Sequence, residues 1–324
     1  MISVNQIVKP CIAVLVLVCA CVEYGVSDED EQAQELLVVE ERFVQAAAPS
    51  VDLLWVVDNT ASMAREQASL AGAFESFVAA LDDEEVAYQL GVVTTDVSDD
   101  QAGVLQGIPW IVTPDHEDPV GAFSQAVQVG TDGAAPESGF GAAWLALTEP
   151  NLSGSNRGFR RDDALLHVVV VSDNDDGSED VLGDEPGSAF LEFLDEEADR
   201  SGQDPIFSAV AGDVPNGCLG MAGRALPANA YHEVASATGG VFASICSGDM
   251  EPILQGIGTA SLVYADTFPL QAVPYLDTIH VWVSEERQLE GWSWQDSPSA
   301  IVFDAPPAPD ASIRVRYTVD EEQG

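Results

Sequence analysis

The sequence predicts an α/β fold: a doubly wound, mostly parallel central sheet with helices on both faces, followed by a small antiparallel β module. Three observations predict it. From residue 51 onward, strand-like apolar runs alternate with stretches of helical periodicity. The strongest runs, "LLWVV" and "LLHVVVV", carry little polar relief, as in strands covered on both faces. Near residue 267 the pattern changes to strict apolar–polar alternation with no helical period.

Residues 1–21 read as an export signal. "MISVNQIVKP" carries one positive charge, and "CIAVLVLVCA" adds an apolar core too short to span a bilayer. Its end, "VCAC", resembles a bacterial lipobox, in which the last cysteine is lipidated and becomes the mature N-terminus. The resemblance implies lipidation at Cys21, with ordinary secretion as the alternative. Residues 22–45 follow as an acidic tether containing "SDEDEQAQE", and "LLVVEERFVQ" at its end is a candidate edge strand before the core begins.

The main domain spans 46–266. "VDLLWVVD" is the first core strand. Met63, Leu70, Phe74, Phe77, Val78 and Leu81 then recur at helical spacing. "AYQLGVVTTD" is a second strand ending at Asp96, and "GIPWIVTP" a short third. "VGAFSQAVQV" and "GFGAAWLALT" read as helices. "ALLHVVVVSDNDD" is the strongest buried strand and ends in acids. "SAFLEFLDEEADRSG" is a helix stopped by glycine. Strands "PIFSAVAGD" and "GGVFASIC" flank the helix "NAYHEVASATGG", and "EPILQGIGTASLVYA" is the last helix. The β module, 267–324, holds "TIHVWVSE" and two alternating runs in "AIVFDAPPAPDASIRVRYTV".

Composition narrows the function. Fifty-five acidic residues face eleven basic ones, for a formal charge of −44. Nucleic acid needs a cationic surface and is excluded as a partner. Anionic lipid is disfavoured too, so membrane contact is expected only through a lipid anchor. Lys9 is the single lysine. An acidic, lysine-free surface suits a saline or calcium-rich exterior, or reflects a compositional bias. Without Cys11 and Cys19, which lie in the signal, three cysteines remain. If Cys21 carries lipid, Cys218 and Cys246 are the remaining pair, a disulfide in an oxidising compartment or two buried thiols.

The chemistry concentrates where the first strand ends. In an open parallel sheet, ligands sit outside the carboxyl ends of the strands. Asp58 stands there, and Thr60 and Ser62 follow at two-residue spacing. One carboxylate and two hydroxyls can point at one locus, and hard cations take oxygen ligands. Such an ion wants about six positions, so other loops must contribute. Asp173, ending "VVVVSD", lies at the same sheet edge; Thr131 in "VGTDG", or Glu137 instead, can arrive from the loop before "GFGAAWLAL".

Here the sequence resembles the von Willebrand factor A domain family. That family carries a metal-ion-dependent adhesion site: Asp-x-Ser-x-Ser, a distant threonine, then an aspartate after an apolar strand. Asp58, Thr60 and Ser62 match the first motif, with threonine for the first serine; Asp173 matches the aspartate and Thr131 the threonine. The resemblance covers about residues 46–266 and implies a Rossmann-like sheet holding a divalent cation, Mg²⁺ foremost, with Ca²⁺ or Mn²⁺ as alternatives. It further implies a binding protein and not an enzyme. An acidic residue of an unknown protein partner would complete the coordination. The chain is then expected to be exported and lipid-anchored in a bacterial cell envelope, at the outer membrane or cell surface, or otherwise periplasmic or secreted. Two rivals remain: a metal-dependent hydrolase using the same carboxylates, with Asp96 or Asp175 as base, and a calcium-stabilised envelope protein with no specific ligand.

Asp96, Asp175 and Asp176 form a candidate second acidic metal site, against a solvated acidic loop. No zinc spacing, nucleophile elbow or phosphate loop occurs. His167, inside a buried strand, reads as structural. Arg157, Arg160 and Arg161 read as intramolecular ion-pair partners. Trp292 and Trp294 read as core of the β module.

Overall fold

Uninterrupted apolar runs become interior strands. In the computed structural model, which describes residues 36–45, 50–82, 86–98, 100–162, 164–201, 203–220, 223–262 and 264–320, every residue from Val51 to Val57 and from Leu165 to Val171 is buried. The chain divides into two units: Ala48–Val263, and a smaller one joining the residues before Ala48 to Tyr264–Gly324. The first strand, β1 (Leu36–Val44), belongs to the smaller unit.

The larger unit runs β2 (Ser50–Val57), a 3₁₀ turn (Ala61–Met63), α1 (Ala64–Asp82), β3 (Ala87–Thr94), α2 (Pro119–Ala126), α3 (Gly139–Leu147), β4 (Leu165–Val171), α4 (Glu179–Leu182), α5 (Pro186–Ser201), β5 (Ile206–Ala211), β6 (Cys218–Leu219), β7 (Arg224–Ala225), α6 (Asn229–Ala237), β8 (Phe242–Ser244) and α7 (Glu251–Ala260). Five strands form one parallel sheet in the order β3-β2-β4-β5-β8. Because side chains alternate across a strand, β2 feeds two apolar clusters. Val51, Leu53, Trp55 and Val57 pack with Leu70, Phe74 and Phe77 of α1, Phe123 of α2 and Leu254 and Ile257 of α7. Leu54 and Val56 pack instead with Phe140 of α3, Phe190 of α5 and Tyr231 of α6. Trp55 meets Phe77 and Phe123 edge-on, each with ring centroids 5.5 Å apart, an arrangement worth about 0.5–1.5 kcal/mol beyond the burial itself. The short β6–β7 hairpin is tied to the loop after β8 by the Cys218–Cys246 disulfide. "GIPWIVTP" forms no strand; Val112 makes one isolated bridge to Leu90. It has apolar residues but two prolines, which break a ladder.

The smaller unit is antiparallel. Its strands are β1, then β9 (Thr267–Pro269), β10 (His280–Val283), β11 (Glu286–Gln288), β12 (Trp292–Gln295), β13 (Ala300–Phe303) and β14 (Ser312–Asp320). They form two sheets, β1-β14-β10-β11 and β12-β13-β9. The tether expected over 22–45 therefore does not extend through its last residues: β1 pairs with β14 along its whole length. It is an edge of this sheet and not of the parallel one. Its alternating Leu37, Val39, Glu41 and Phe43 face a partner at the far end of the chain, and sequence-local reasoning has no access to that pairing. Buried Glu41 accepts hydrogen bonds from the Tyr317 hydroxyl and the Gln271 backbone N–H. Trp292 and Trp294 pack on the core of this unit. No described helix is long and apolar enough to cross a membrane.

Candidate metal centre

Asp58 follows the last residue of β2 and is fully buried. Its backbone still donates to Val171 O at 3.0 Å, so the sheet register carries through it. Oδ1 accepts from Thr60 N at 2.8 Å and Thr60 Oγ1 at 2.7 Å; Oδ2 accepts from Ser172 Oγ at 2.8 Å. The Thr60 and Ser62 hydroxyls lie 3.3 Å apart. Ser62, exposed in the 3₁₀ turn, acts on Asp173 and holds its pKa down against burial. Asp58, Thr60, Ser62 and Asp173 thus form a chain of oxygens along the carboxyl edge of β2 and β4.

The loop bearing Thr131 is fastened to this chain by its backbone. Gln67 Nε2 donates to Asp58 O at 2.9 Å and to Gly130 O at 2.7 Å. Gly133 N donates to Asn59 O at 2.8 Å. A Cβ on Gly133 would lie 2.2 Å from Asn59 Oδ1, so a larger residue there would displace the Asn59 side chain. Thr131, half-buried, is held between these two anchors. Glu137 joins by another route: Asn174 Nδ2 donates to Asp173 Oδ1 at 3.0 Å and to Glu137 Oε1 at 3.2 Å. Both candidates for completing the donor set therefore belong to loops reaching this edge.

The electrostatics are those of crowded like charges. Burial raises the pKa of Asp173, and the Asp58 charge adds to it. Burial also raises Glu137, with Asp58 and Asp173 pushing the same way. Glu66, in the first turn of α1, is raised by burial and by Asp173 and Asp58, while Arg65 offsets part of this. Like charges held close in a partly desolvated site are costly unless a cation joins them. Among the described residues no group of three or more Asp, Glu, His or Cys side chains is placed to hold a metal. The set here differs in composition: two carboxylates, with hydroxyls as the remaining donors. Its oxygens are hard, and no histidine or thiol joins them, which suits Mg²⁺, Ca²⁺ or Mn²⁺. These residues fit such an ion. Asp58, Thr60, Ser62 and Asp173 would hold it, with Thr131 or Glu137 beside them.

The candidate second site does not come together. Asp96 accepts from Ser98 N, Ser98 Oγ and Ala134 N. Asp175 accepts from the backbone N–H groups of Asn229 and Ala230 at the start of α6. Asp176 accepts from Phe140 N in α3 and from Ser178 N and Oγ; burial pushes its pKa up to about 6. Each carboxylate serves a separate turn or helix start, where backbone donors outnumber intrahelical acceptors.

Several expected structural roles are observed. His167, fully buried, has Ser261 Oγ and Ser208 Oγ each at 2.8 Å from its ring nitrogens. Arg160 and Arg161 pair with buried Asp52. Cys218 and Cys246 are bonded. Cys21 lies outside the described residues. Sequence reasoning missed Gln67, Ser172, Asn174 and Glu66. Ser172 and Asn174 flank Asp173, which was a usable signal; Gln67 and Glu66 lie one turn into α1 and gave none.

No protein-family model matches the chain, and no curated protein does. Among solved structures it is similar to the pilus adhesin SpaC from Lactobacillus rhamnosus GG, at 12% identity over 95% of this chain and 43% of that one, TM-score 0.39. It is also similar to the pilus adhesin RrgA from Streptococcus pneumoniae, at 8% identity over 90% of this chain and 60% of that one, TM-score 0.38. A third is proximal thread matrix protein 1 from the mussel byssus, at 12% identity over 70% of this chain and 49% of that one, TM-score 0.38. This chain spans less than two thirds of each. Likenesses at this level carry no argument about activity or partner.

Proposed function

We propose that the larger unit is a von Willebrand factor A-type domain, doubly wound, that binds a protein partner through a divalent cation. The carrying observation is the oxygen chain of Asp58, Thr60, Ser62 and Asp173 gathered at the carboxyl edge of the parallel sheet. The other donors are neutral hydroxyls, so an ion held here would keep residual positive charge and an open coordination position. When bound, the ion would act as a Lewis-acidic contact for a carboxylate of the partner. The chain's own residues do the rest. Asp58 fixes the Thr60 and Ser172 hydroxyls, Gln67 fixes the Thr131 loop, and Asn174 holds Asp173 against Glu137.

The hydrolase alternative draws less support. The carboxylates that could serve it as a base are already engaged, Asp96 by two backbone N–H groups and Asp175 by three. Export is supported by the Cys218–Cys246 disulfide, which suits an oxidising compartment, and by the signal-like residues 1–21. We extend the proposal to lipid anchoring at Cys21, in which case Cys21→Ala releases the protein from the membrane fraction.

The test is thermal unfolding in EDTA and then with Mg²⁺, Ca²⁺ or Mn²⁺, on wild type and Asp58→Ala. A metal-dependent rise that the variant lacks is the expected outcome. No shift with any of the three ions would overturn the proposal and leave the oxygen chain as a turn and helix-entry device.

A further inference from the structure

The larger unit has no lysine, and its arginines are unevenly placed. Arg160, Arg161 and Arg200 are held in ion pairs with Asp52, Glu197 and Asp162. Of the others, Arg157 lies in the turns before β4, while Arg65 and Arg224 line one cavity. This cavity, of about 500 Å³, opens beside the candidate metal centre and shares Asp173 with it. Its wall is built from the start of α1, with Arg65, Glu66 and Ser69, from the β6–β7 hairpin, with Arg224, and from the loop after β8. The Cys218–Cys246 disulfide ties the hairpin to that loop and so braces this part of the wall.

The charges on the wall differ in what an occupant can reach. Glu66 is 7% exposed and Asp173 8%, whereas Arg65 and Arg224 are both exposed. Arg65 also stands close enough to Glu66 to stabilise its charge. Arg224 has no ion pair and no side-chain hydrogen bond among the described residues. Its partner across the hairpin, Leu219, is 82% exposed, so no other element covers the pair. A guanidinium presented in this way is open to a carboxylate from outside. Its planar fork matches the two carboxylate oxygens, and such charge-assisted bonds are about twice as strong as neutral ones. Ser69, one turn beyond Arg65 on the same helix face, adds a hydroxyl donor to the wall.

We propose that this cavity is a subsite for a second carboxylate of the protein partner, with Arg224 as its main counter-charge and Arg65 beside it. That the ligand belongs to a protein rests on the function proposed above; the Arg224–carboxylate contact itself needs no metal. A partner read this way presents one acidic residue to the ion and another, a short way along, to the cavity. A chain of charge −44 repels an acidic partner at long range, so the attraction acts at contact and is confined to the two arginines.

The test is a ¹H–¹⁵N NMR titration of the full chain with N-acetyl-glutamate methylamide. Metal is removed beforehand on a chelating resin, because EDTA is itself a polycarboxylate. The near-isosteric, neutral N-acetyl-glutamine methylamide is the control. The expected result is movement of the Gly220, Gly223 and Gly248 amides with the glutamate probe, and binding of the glutamine probe weaker by about tenfold or more. Arg224→Gln should weaken glutamate binding by about tenfold and leave glutamine binding unchanged. Adding Arg65→Gln should abolish the preference for glutamate. Equal binding of the two probes by the wild type, or no movement with either, overturns the subsite. So does an equal loss for both probes in Arg224→Gln, which would mean that the variant disturbs the wall and not the charge. Binding of inorganic phosphate without binding of the glutamate probe would make the cavity an oxyanion site and overturns the carboxylate reading. A separate Mg²⁺ titration reads the amides of Asn59 to Ser62. If those stay still while glutamate still moves the cavity amides, the metal proposal has failed and the subsite has not. If Mg²⁺ moves them and the glutamate probe leaves the cavity amides still, the subsite has failed and the metal proposal has not.

Discussion

Strand β2 has an aspartate near each end, and the two are neutralised in opposite ways. Asp52, toward the amino edge of the sheet, is fully buried and accepts from Arg161 Nε at 2.7 Å, Arg161 N at 2.7 Å and Arg160 Nη1 at 3.2 Å. Arg160 continues to Glu197 at 3.0 Å, and Arg200 joins Glu197 to Asp162. Burial pushes Glu197 up, but the hydrogen bonds from Arg200 and Arg160 pull it further down, below the usual carboxylate range. Asp58, at the carboxyl edge, is equally buried, yet it accepts from hydroxyls and an amide, and its charge raises Asp173, Glu66 and Glu137. One edge is closed by the chain's own guanidinium groups. The other gathers carboxylates and neutral donors, an arrangement that an external cation would complete.

The comparison breaks most visibly at the closed edge. Arg160→Ala leaves Asp52 and Glu197 short of a buried partner and strips donors from Arg161 O and Ala164 O. Removing one member of a buried ion pair costs about 3–5 kcal/mol. Urea denaturation is expected to show that loss equally in EDTA and in Mg²⁺. A loss that Mg²⁺ repaired would mean that the two edges are not independent.

At the open edge the sign should depend on metal. Asp173→Asn removes one of the crowding charges, so in EDTA it is expected to be neutral or stabilising. With Mg²⁺ at a hundred times its wild-type Kd, the wild type should gain about 2.7 kcal/mol by mass action. The variant should lose most of that gain. Urea midpoints of both proteins with and without Mg²⁺ check this. If Asp173→Asn is destabilising in EDTA by as much as in Mg²⁺, the carboxylate is structural and the contrast between the edges collapses.

That contrast was partly legible in the sequence. Asp58, Thr60, Ser62 and Asp173 were visible because strand ends and two-residue spacing are local signals. The alternation of strand and helix likewise located the parallel sheet. Asp52 was not visible as a charged centre: it sits inside an apolar run, and its partners are more than a hundred positions away. Gln67 and Glu66 look like ordinary solvent-facing residues of an amphipathic helix; what buries them is the arrival of other loops. Asp96, Asp175 and Asp176 failed for the reverse reason. Asp175 and Asp176 are neighbours in sequence and Asp96 ends another strand, which suggested one cation site, but each has a nearer use at a backbone turn or helix start. β1 was hidden for the same reason as Asp52, since its partner strand lies at the other end of the chain.

His167 lies between the two edges, in β4, and supplies a control that should respond to neither. Burial holds its pKa down at about 3, against 6.5 in the unfolded chain. Between those values the unfolded state binds a proton that the folded state refuses. Stability is therefore full above about pH 6.5 and falls as the pH drops, by about 1.4 kcal/mol per unit for this one group. His167→Gln keeps a side chain able to bridge Ser208 and Ser261 and removes the proton. The pH dependence of urea stability between pH 6.5 and 4.5 should flatten by that slope in the variant, with or without Mg²⁺. An unchanged slope would assign the acid sensitivity to carboxylates instead.

The smallest effect should be the most informative. Ser62 is exposed; its hydroxyl lies 3.3 Å from Thr60 Oγ1 and acts on Asp173. Surface substitutions of this kind usually fall within about 0.5 kcal/mol, so in EDTA Ser62→Ala should unfold almost as wild type does. As a metal donor, however, Ser62 would contribute to affinity. A tenfold weaker Mg²⁺ midpoint corresponds to about 1.4 kcal/mol, well clear of the EDTA effect. The Mg²⁺ midpoint, read by NMR at the amides of Asn59 to Ser62, separates the two roles. A shifted midpoint with unchanged EDTA stability makes Ser62 a ligand of an open site. An unchanged midpoint makes it a turn residue, and the ion, if bound, is then held by Asp58, Thr60 and Asp173 without it.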